Sequence, residues 1–134
     1  MALEVQREGK HVFVGRNERG ADVKVGRKGQ EGVFSPAELL QIAAAGCAAV
    51  TAEELITRRV GEDSKFRVGV TADRREDAWE LDAVHVAFDV DVSALDADQR
   101  EALAGAVDRA IERLCTVSRT LKKGIPVTES FPAS

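Results

Sequence analysis

The fold is decided by the stretch Phe34-Ser-Pro-Ala-Glu-Leu-Leu-Gln-Ile-Ala-Ala-Ala-Gly-Cys47, which predicts a long helix. Ser35 suits the N-cap position and Pro36 the first helical position, while the acid of Glu38 suits the first turn. No charged residue occurs in residues 39–52. A helix without a polar face is expected to be buried on every side, so this segment predicts the centre of the core.

Length, charge and cysteine content exclude several classes of protein. A chain of 134 residues is most simply one domain, and a net charge of −4 disfavours a nucleic-acid-binding surface. No segment resembles a signal peptide and none is predicted to span a membrane, so we expect no membrane partner. Two cysteines without a signal peptide favour a reducing, cytoplasmic location, where paired thiols are more often redox-active than structural.

The segments before the central helix predict a small antiparallel meander. Residues 3–7, 11–15 and 21–25 alternate between apolar and polar side chains, as half-buried strands do. Residues 26–32 form a glycine-rich loop that leads into the helix. This loop has neither the Walker spacing nor the dinucleotide-binding fingerprint, so a phosphate cradle of those types is not expected.

The segments after the central helix predict more antiparallel strands and a second helix. Residues 65–72 and 83–92 alternate cleanly, and an amphipathic pattern runs from about Asp96 to Leu121. Residues 125–131 predict a last edge strand, because Pro126 is tolerated near the start of one. The predicted fold is α+β: antiparallel strands with two long helices, the first buried centrally.

Two cysteines are the candidates for chemistry. Cys47 lies on the buried helix, and Cys115 follows Ile111 by four residues on the second, so both are expected near the core. Buried free cysteines are often only small hydrophobic residues, and spacing alone favours neither that role nor a redox pair. A zinc site that adds His11 and His85 is disfavoured because no two of the four show paired ligand spacing.

Two motifs resemble those of the OsmC/Ohr family. They are Pro36-Ala-Glu-Leu-Leu with Gly46-Cys47, and Cys115-Thr-Val-Ser-Arg-Thr-Leu-Lys122, in the family's order. The resemblance implies an intertwined homodimer whose two active sites lie at the subunit interface. It implies a thiol-dependent peroxidase that reduces organic hydroperoxides, with Cys47 as peroxidatic and Cys115 as resolving cysteine. An external dithiol, such as one of the lipoyl type, would reduce the pair without metal or bound cofactor.

The resemblance also implies a catalytic arginine. Arg27 precedes Pro36 by nine residues, the family's spacing, and a guanidinium beside a thiol favours the thiolate. Ala37 stands where many members carry a glutamate that supports this arginine. The nearest acid, Glu38, is the remaining candidate, although a separation of nine residues puts it half a turn out of phase with Cys47.

Other readings of the same residues stay open. Thr116 stands where many members have proline, and it can cap a restarted helical turn that places Cys115 at a break. The chain could also be a non-catalytic dimeric binding or scaffold protein that retains an apolar interface pocket. A third reading is a different thiol chemistry on a hydrophobic electrophile.

Overall fold

The computed structural model describes residues 3–132, which form an α+β fold of antiparallel strands and three helices. The elements are, in chain order, β1 Leu3–Gly9, β2 Val12–Asn17, β3 Asp22–Val25, α1 Pro36–Val60, β4 Arg67–Asp73, β5 Ala83–Asp89, α2 Ala97–Leu114 and α3 Thr116–Lys123. The chain divides into two compact units, of which the first ends at Ile42 and the second begins at Ala43.

The first unit contains the predicted meander. Strands β1, β2 and β3 pair antiparallel in that order, so the alternation in the sequence correctly predicted three strands. A two-residue turn, Lys10-His11, joins β1 to β2, and His11 has a φ of 63°, in the left-handed region. Beyond β3 the loop returns to the sheet, because the Phe34 N–H donates to the Lys24 carbonyl at 3.0 Å.

A capping box begins α1 where the sequence predicts it. The Glu38 N–H donates to the Ser35 hydroxyl at 3.2 Å, and the Ser35 N–H donates to the Glu38 carboxylate at 2.9 Å. These two bonds satisfy amides that the first turn of a helix leaves without partners. The Glu38 side chain therefore has a structural role at the helix start.

The part of α1 that belongs to the second unit is buried along one stripe only. The buried residues of this stripe are Ala44, Ala45, Ala48, Ala52 and Ile56. On the other side Val50 is 78% exposed, and Gly46 is also exposed. The prediction of a helix buried on every side was therefore wrong for the single chain, because the absence of charge does not itself supply neighbours that cover each face.

The core of the second unit is the contact between α1 and α2. Ala52 and Ile56 pack against Leu103 and Val107, and Ile56 is 2% exposed. The antiparallel hairpin of β4 and β5 adds partly buried side chains to this cluster, including that of Phe88. The predicted packing of the two cysteine-bearing helices on each other is confirmed.

Helix α1 has 25 residues and is long and apolar enough to cross a membrane by length and composition. The prediction that no segment reaches transmembrane length was therefore wrong. Length and composition alone do not assign a helix to a membrane, because a long core helix of a water-soluble protein has the same properties. The contact of Ile56 with α2 gives this helix a protein environment on its buried stripe.

Two predictions at the C-terminal end need correction. The helix predicted from Asp96 to Leu121 is interrupted at Cys115, so two helices stand in place of one. The break considered for Cys115 is therefore present, but Cys115 rather than Thr116 is the N-cap of α3. Residues 125–131 form no strand in the part of the chain that the structure describes, and Val127 and Phe131 are 75% and 91% exposed. The sheet of β4 and β5 has two open edges, and among the described residues this segment pairs with neither of them.

Candidate active site

The second unit brings Cys47 and Cys115 together. Cys47 lies in the middle of α1, and Cys115 lies at the junction of α2 and α3. Both are free thiols, and the Cys115 thiol is a hydrogen-bond neighbour of the Cys47 sulfur. Cys47 is partly accessible, whereas Cys115 is 0% exposed. The structure therefore contains one reachable thiol with a second, protected thiol beside it.

The start of α3 favours the thiolate form of Cys47. The pKa of Cys47 is lowered. The largest cause of this shift is the hydrogen bond from the backbone N–H of Val117, and the N–H of Thr116 makes a smaller contribution. The first amides of a helix have no partners within that helix, and the helix dipole adds partial positive charge there. An anionic sulfur at this position accepts those hydrogen bonds, which is a common way to activate a cysteine.

Two side chains reinforce this effect. The Cys115 thiol and the Thr51 hydroxyl both act as donors to the Cys47 sulfur and lower its pKa, against the opposing effect of its own burial. Thr51 follows Cys47 by four residues on α1, so the two side chains lie on the same face of the helix.

The pKa of Cys115 is shifted in the opposite direction. Burial raises the pKa of Cys115, and the hydrogen bond to Cys47 and the charge on Cys47 raise it further. Backbone amides of Ser118 and Val117 oppose this shift without reversing it. Of the two thiols, Cys47 is therefore the one that loses its proton more easily.

The other two predicted site residues belong to the first unit. Arg27 lies in the loop after β3, where its backbone N–H donates to the Gln30 side chain at 3.0 Å. The Glu38 carboxylate accepts a hydrogen bond from the Ser35 N–H in the capping box. The catalytic roles of Arg27 and Glu38 remain predictions.

Thr51 and the amides of α3 were not predicted from the sequence. A hydroxyl residue four positions after Cys47 was visible in the sequence and could have indicated Thr51 as a donor. The amides carry no sequence signal of their own, because any residue type supplies a backbone N–H. Among residues 3–132, no three histidine, cysteine, aspartate or glutamate side chains come together in a metal-binding cluster.

Comparison with known families identifies this arrangement. The family model described as OsmC-like protein matches residues 29–130, which include both cysteines. The chain belongs to the OsmC-like family. A relative in Mycobacterium tuberculosis, Uncharacterized protein Rv2923c, is 40% identical over 127 residues, covering 93% of this chain and 91% of its own. Protein YhfA of Escherichia coli K12 is 28% identical over 120 residues, covering 90% and 88% of the two chains.

Solved structures of OsmC-like proteins share the fold. One is described as an osmotic stress induced and detoxification response protein of Psychrobacter arcticus, and it superposes with a TM-score of 0.69 at 17% identity. The superposition covers 90% of this chain and 87% of the Psychrobacter arcticus chain. The OsmC-like protein of Mycoplasma pneumoniae gives a TM-score of 0.67 at 14% identity, with coverages of 90% and 85%. At these identities the likeness concerns the fold.

The lowered pKa of Cys47 predicts a pH dependence that Thr51 tunes. In protein carrying Cys115→Ser, which keeps a hydroxyl donor, alkylation of Cys47 by iodoacetamide should rise with pH around a midpoint below about 8.5, the ordinary thiol value. Thr51→Val removes a donor to the thiolate and should move this midpoint upward. Thr51→Ser keeps the hydroxyl and is the matched control. Identical midpoints for Thr51→Val and its parent would show that the hydroxyl does not act on the sulfur.

Proposed function

We propose that this OsmC-like protein is a cytoplasmic thiol-dependent peroxidase that reduces organic hydroperoxides to alcohols. The observation that carries the proposal is the asymmetric thiol pair. An accessible Cys47 with a lowered pKa lies beside a buried Cys115 whose pKa is raised. A nucleophile that is anionic near neutral pH and a protected second thiol are the two groups that this chemistry requires.

In the first step the Cys47 thiolate attacks the terminal oxygen of the hydroperoxide. A sulfur–oxygen bond forms from the sulfur electron pair while the oxygen–oxygen bond breaks. The departing alkoxide takes up a proton and leaves as the alcohol. Cys47 becomes a sulfenic acid, so the sulfur is oxidised by two electrons and the peroxide is reduced by two.

In the second step Cys115 condenses with the sulfenic acid. Its sulfur attacks the Cys47 sulfur, forming a disulfide and releasing water. The negative charge on Cys47 is one cause of the raised pKa of Cys115, and oxidation of Cys47 removes that charge. Cys115 therefore ionises more easily once Cys47 has reacted. An external dithiol, of the lipoyl type, then reduces the disulfide by exchange.

Arg27 is assigned a supporting role in this proposal. Its guanidinium would bind the peroxide oxygens and favour the Cys47 thiolate, because a planar fork of donors suits two neighbouring oxygens. Glu38 would contribute less, since its carboxylate is engaged at the start of α1. With Ala37 in place of the family's glutamate, the α3 amides supply part of the activation that a supported arginine would otherwise provide.

We also propose that the functional unit is a homodimer. Exposed apolar side chains of α1 include those of Leu40, Ile42 and Val50. A contiguous apolar surface on a small protein usually marks an interface. A symmetric pair of chains would cover the face of α1 that the single chain leaves open.

The dimer is tested by the mass in solution. Light scattering at micromolar concentration should give twice the 14.4 kDa mass of the chain. Val50→Lys places a charge on the apolar face and should shift the mass toward the monomer, because an unpaired buried charge destabilises an interface. Glu62→Lys makes a charged lysine at an exposed position beyond the end of α1 and should leave the mass unchanged. A monomeric wild-type protein would contradict the assembly.

The peroxidase activity is tested by peroxide consumption with a lipoyl-type dithiol as reductant. An alkyl hydroperoxide should be consumed faster than hydrogen peroxide, because the resemblance to the OsmC/Ohr family implies an organic substrate. Cys47→Ser should abolish turnover. Without the dithiol, Cys115→Ser should consume one equivalent of alkyl hydroperoxide and retain a sulfenic acid on Cys47, whereas the wild-type protein should form the Cys47–Cys115 disulfide. An unreactive wild-type Cys47 would instead favour the non-catalytic scaffold protein.

A matched pair of variants separates Arg27 from Glu38. Arg27→Ala should slow the reaction of Cys47 with an alkyl hydroperoxide by about tenfold or more, the value of a lost charge-assisted hydrogen bond. Glu38→Gln keeps the capping bonds and should change this rate much less. Equal rates for wild type and Arg27→Ala, with unchanged thiol titration, would remove the arginine from the mechanism.

A further inference from the structure

A cavity in the first unit is lined by basic side chains. It has a volume of about 460 Å³ and is bordered by Arg7, Lys10, His11 and Arg27. None of the described residues that line it is acidic. Positive side chains that converge on one concavity without a carboxylate among them create a local positive potential, although the whole chain has a net charge of −4.

The strand register explains why part of this cavity exists. Arg7 pairs with Phe13 across β1 and β2, and Phe13 pairs with Val25 across β2 and β3. Residues directly opposite each other in antiparallel strands project on the same face of the sheet, so these three form one row. Lys10 and His11 form the turn at the end of that row, which brings their side chains to the same rim.

The loop that carries Arg27 is held against this turn. A side chain at Gly26 would meet Val33 at 2.6 Å and the His11 carbonyl at 3.0 Å, so only glycine fits. The Gly26 N–H donates to the Phe34 carbonyl at 2.9 Å, and the Arg27 N–H donates to Gln30 at 3.0 Å. These contacts fix the backbone from which the Arg27 side chain reaches the cavity.

The cations of this cavity are not neutralised by acidic side chains in the part of the chain that the structure describes. Arg7, Lys10 and Arg27 form no ion pair with any residue in the described range 3–132. Glu8, adjacent to Arg7 in sequence, is instead paired with Arg16 at 2.7 Å. Three cationic groups around one cavity repel each other, and an anion between them relieves that repulsion.

We propose that this cavity binds a small organic oxyanion, a carboxylate or phosphate group attached to an apolar body. The basic rim supplies charge-assisted hydrogen bonds to the oxyanion, and Phe13, Val25 and Pro36 supply apolar surface beside it. The volume lies in the range of small-molecule pockets rather than of extended polymer grooves. Binding here does not require the thiol chemistry of Cys47.

The test measures binding separately from catalysis. Full-length protein carrying Cys47→Ser is titrated with octyl phosphate, octanoate, inorganic phosphate and neutral octanol, and is followed by backbone amide NMR and calorimetry. The amides of Lys10, His11, Gly26 and Arg27 should shift with octyl phosphate or octanoate. Inorganic phosphate should bind more weakly because it lacks the apolar body. Octanol should leave these amides unshifted because it lacks the charge.

Matched variants test the residues. Arg7→Gln and Lys10→Gln should each weaken octyl phosphate binding about tenfold, as loss of a charge-assisted hydrogen bond does. Lys28→Gln and Arg19→Gln change the net charge equally, at exposed first-unit positions outside the cavity, and should leave the affinity unchanged. Arg27 is not used here because the proposed peroxidase mechanism also involves it.

Three results would overturn the site. The first is that Arg7→Gln, Lys10→Gln and the two control variants all bind octyl phosphate with equal affinity, which would indicate general charge attraction. The second is binding of octanol as tight as that of octyl phosphate. The third is binding only to vesicles containing an anionic phospholipid, without binding of free octyl phosphate, which would indicate a membrane surface as the ligand. None of these results depends on whether Cys47 reduces peroxides.

Discussion

The contact of α1 with α2 is the constraint on which the candidate site depends. Ala52 and Ile56 of α1 pack against Leu103 and Val107 of α2, and Ala52 is completely buried. An alanine at the contact allows two helix backbones to approach closely, since it adds little side-chain volume between them. This packing places the α2–α3 junction beside the middle of α1, where Cys47 lies.

The break at Cys115 converts that packing into a chemical environment. A continuous helix would use its amide groups internally, whereas a helix that restarts at Thr116 presents unpaired N–H groups at its beginning. The N–H of Val117 is the largest cause of the lowered pKa of Cys47, whereas burial raises the pKa of Cys115. The helix start and the burial of Cys115 together shift the two thiol pKa values in opposite directions.

Membership of the OsmC-like family agrees with this geometry and leaves the activity as a proposal. The matched region includes both cysteines and the loop end from Gly29, while Arg27 lies just before it. Within the second unit, the pKa of Cys47 is lowered by the amides at the start of α3, by the Cys115 thiol and by the Thr51 hydroxyl.

Local sequence patterns determined most of the secondary structure of this protein. Alternation predicted five of the strands, Ser35 and Pro36 predicted where α1 begins, and the cysteine motifs indicated the family. These features depend on neighbours in sequence, so the sequence contains them directly. Tertiary structure decided the rest. Three features depend on which distant segments are present as partners. They are the exposure of Val50, the lack of strand pairing in residues 125–131, and the backbone amides that donate to Cys47. Backbone N–H groups are the same in every residue except proline, so only the folded chain determines where they point.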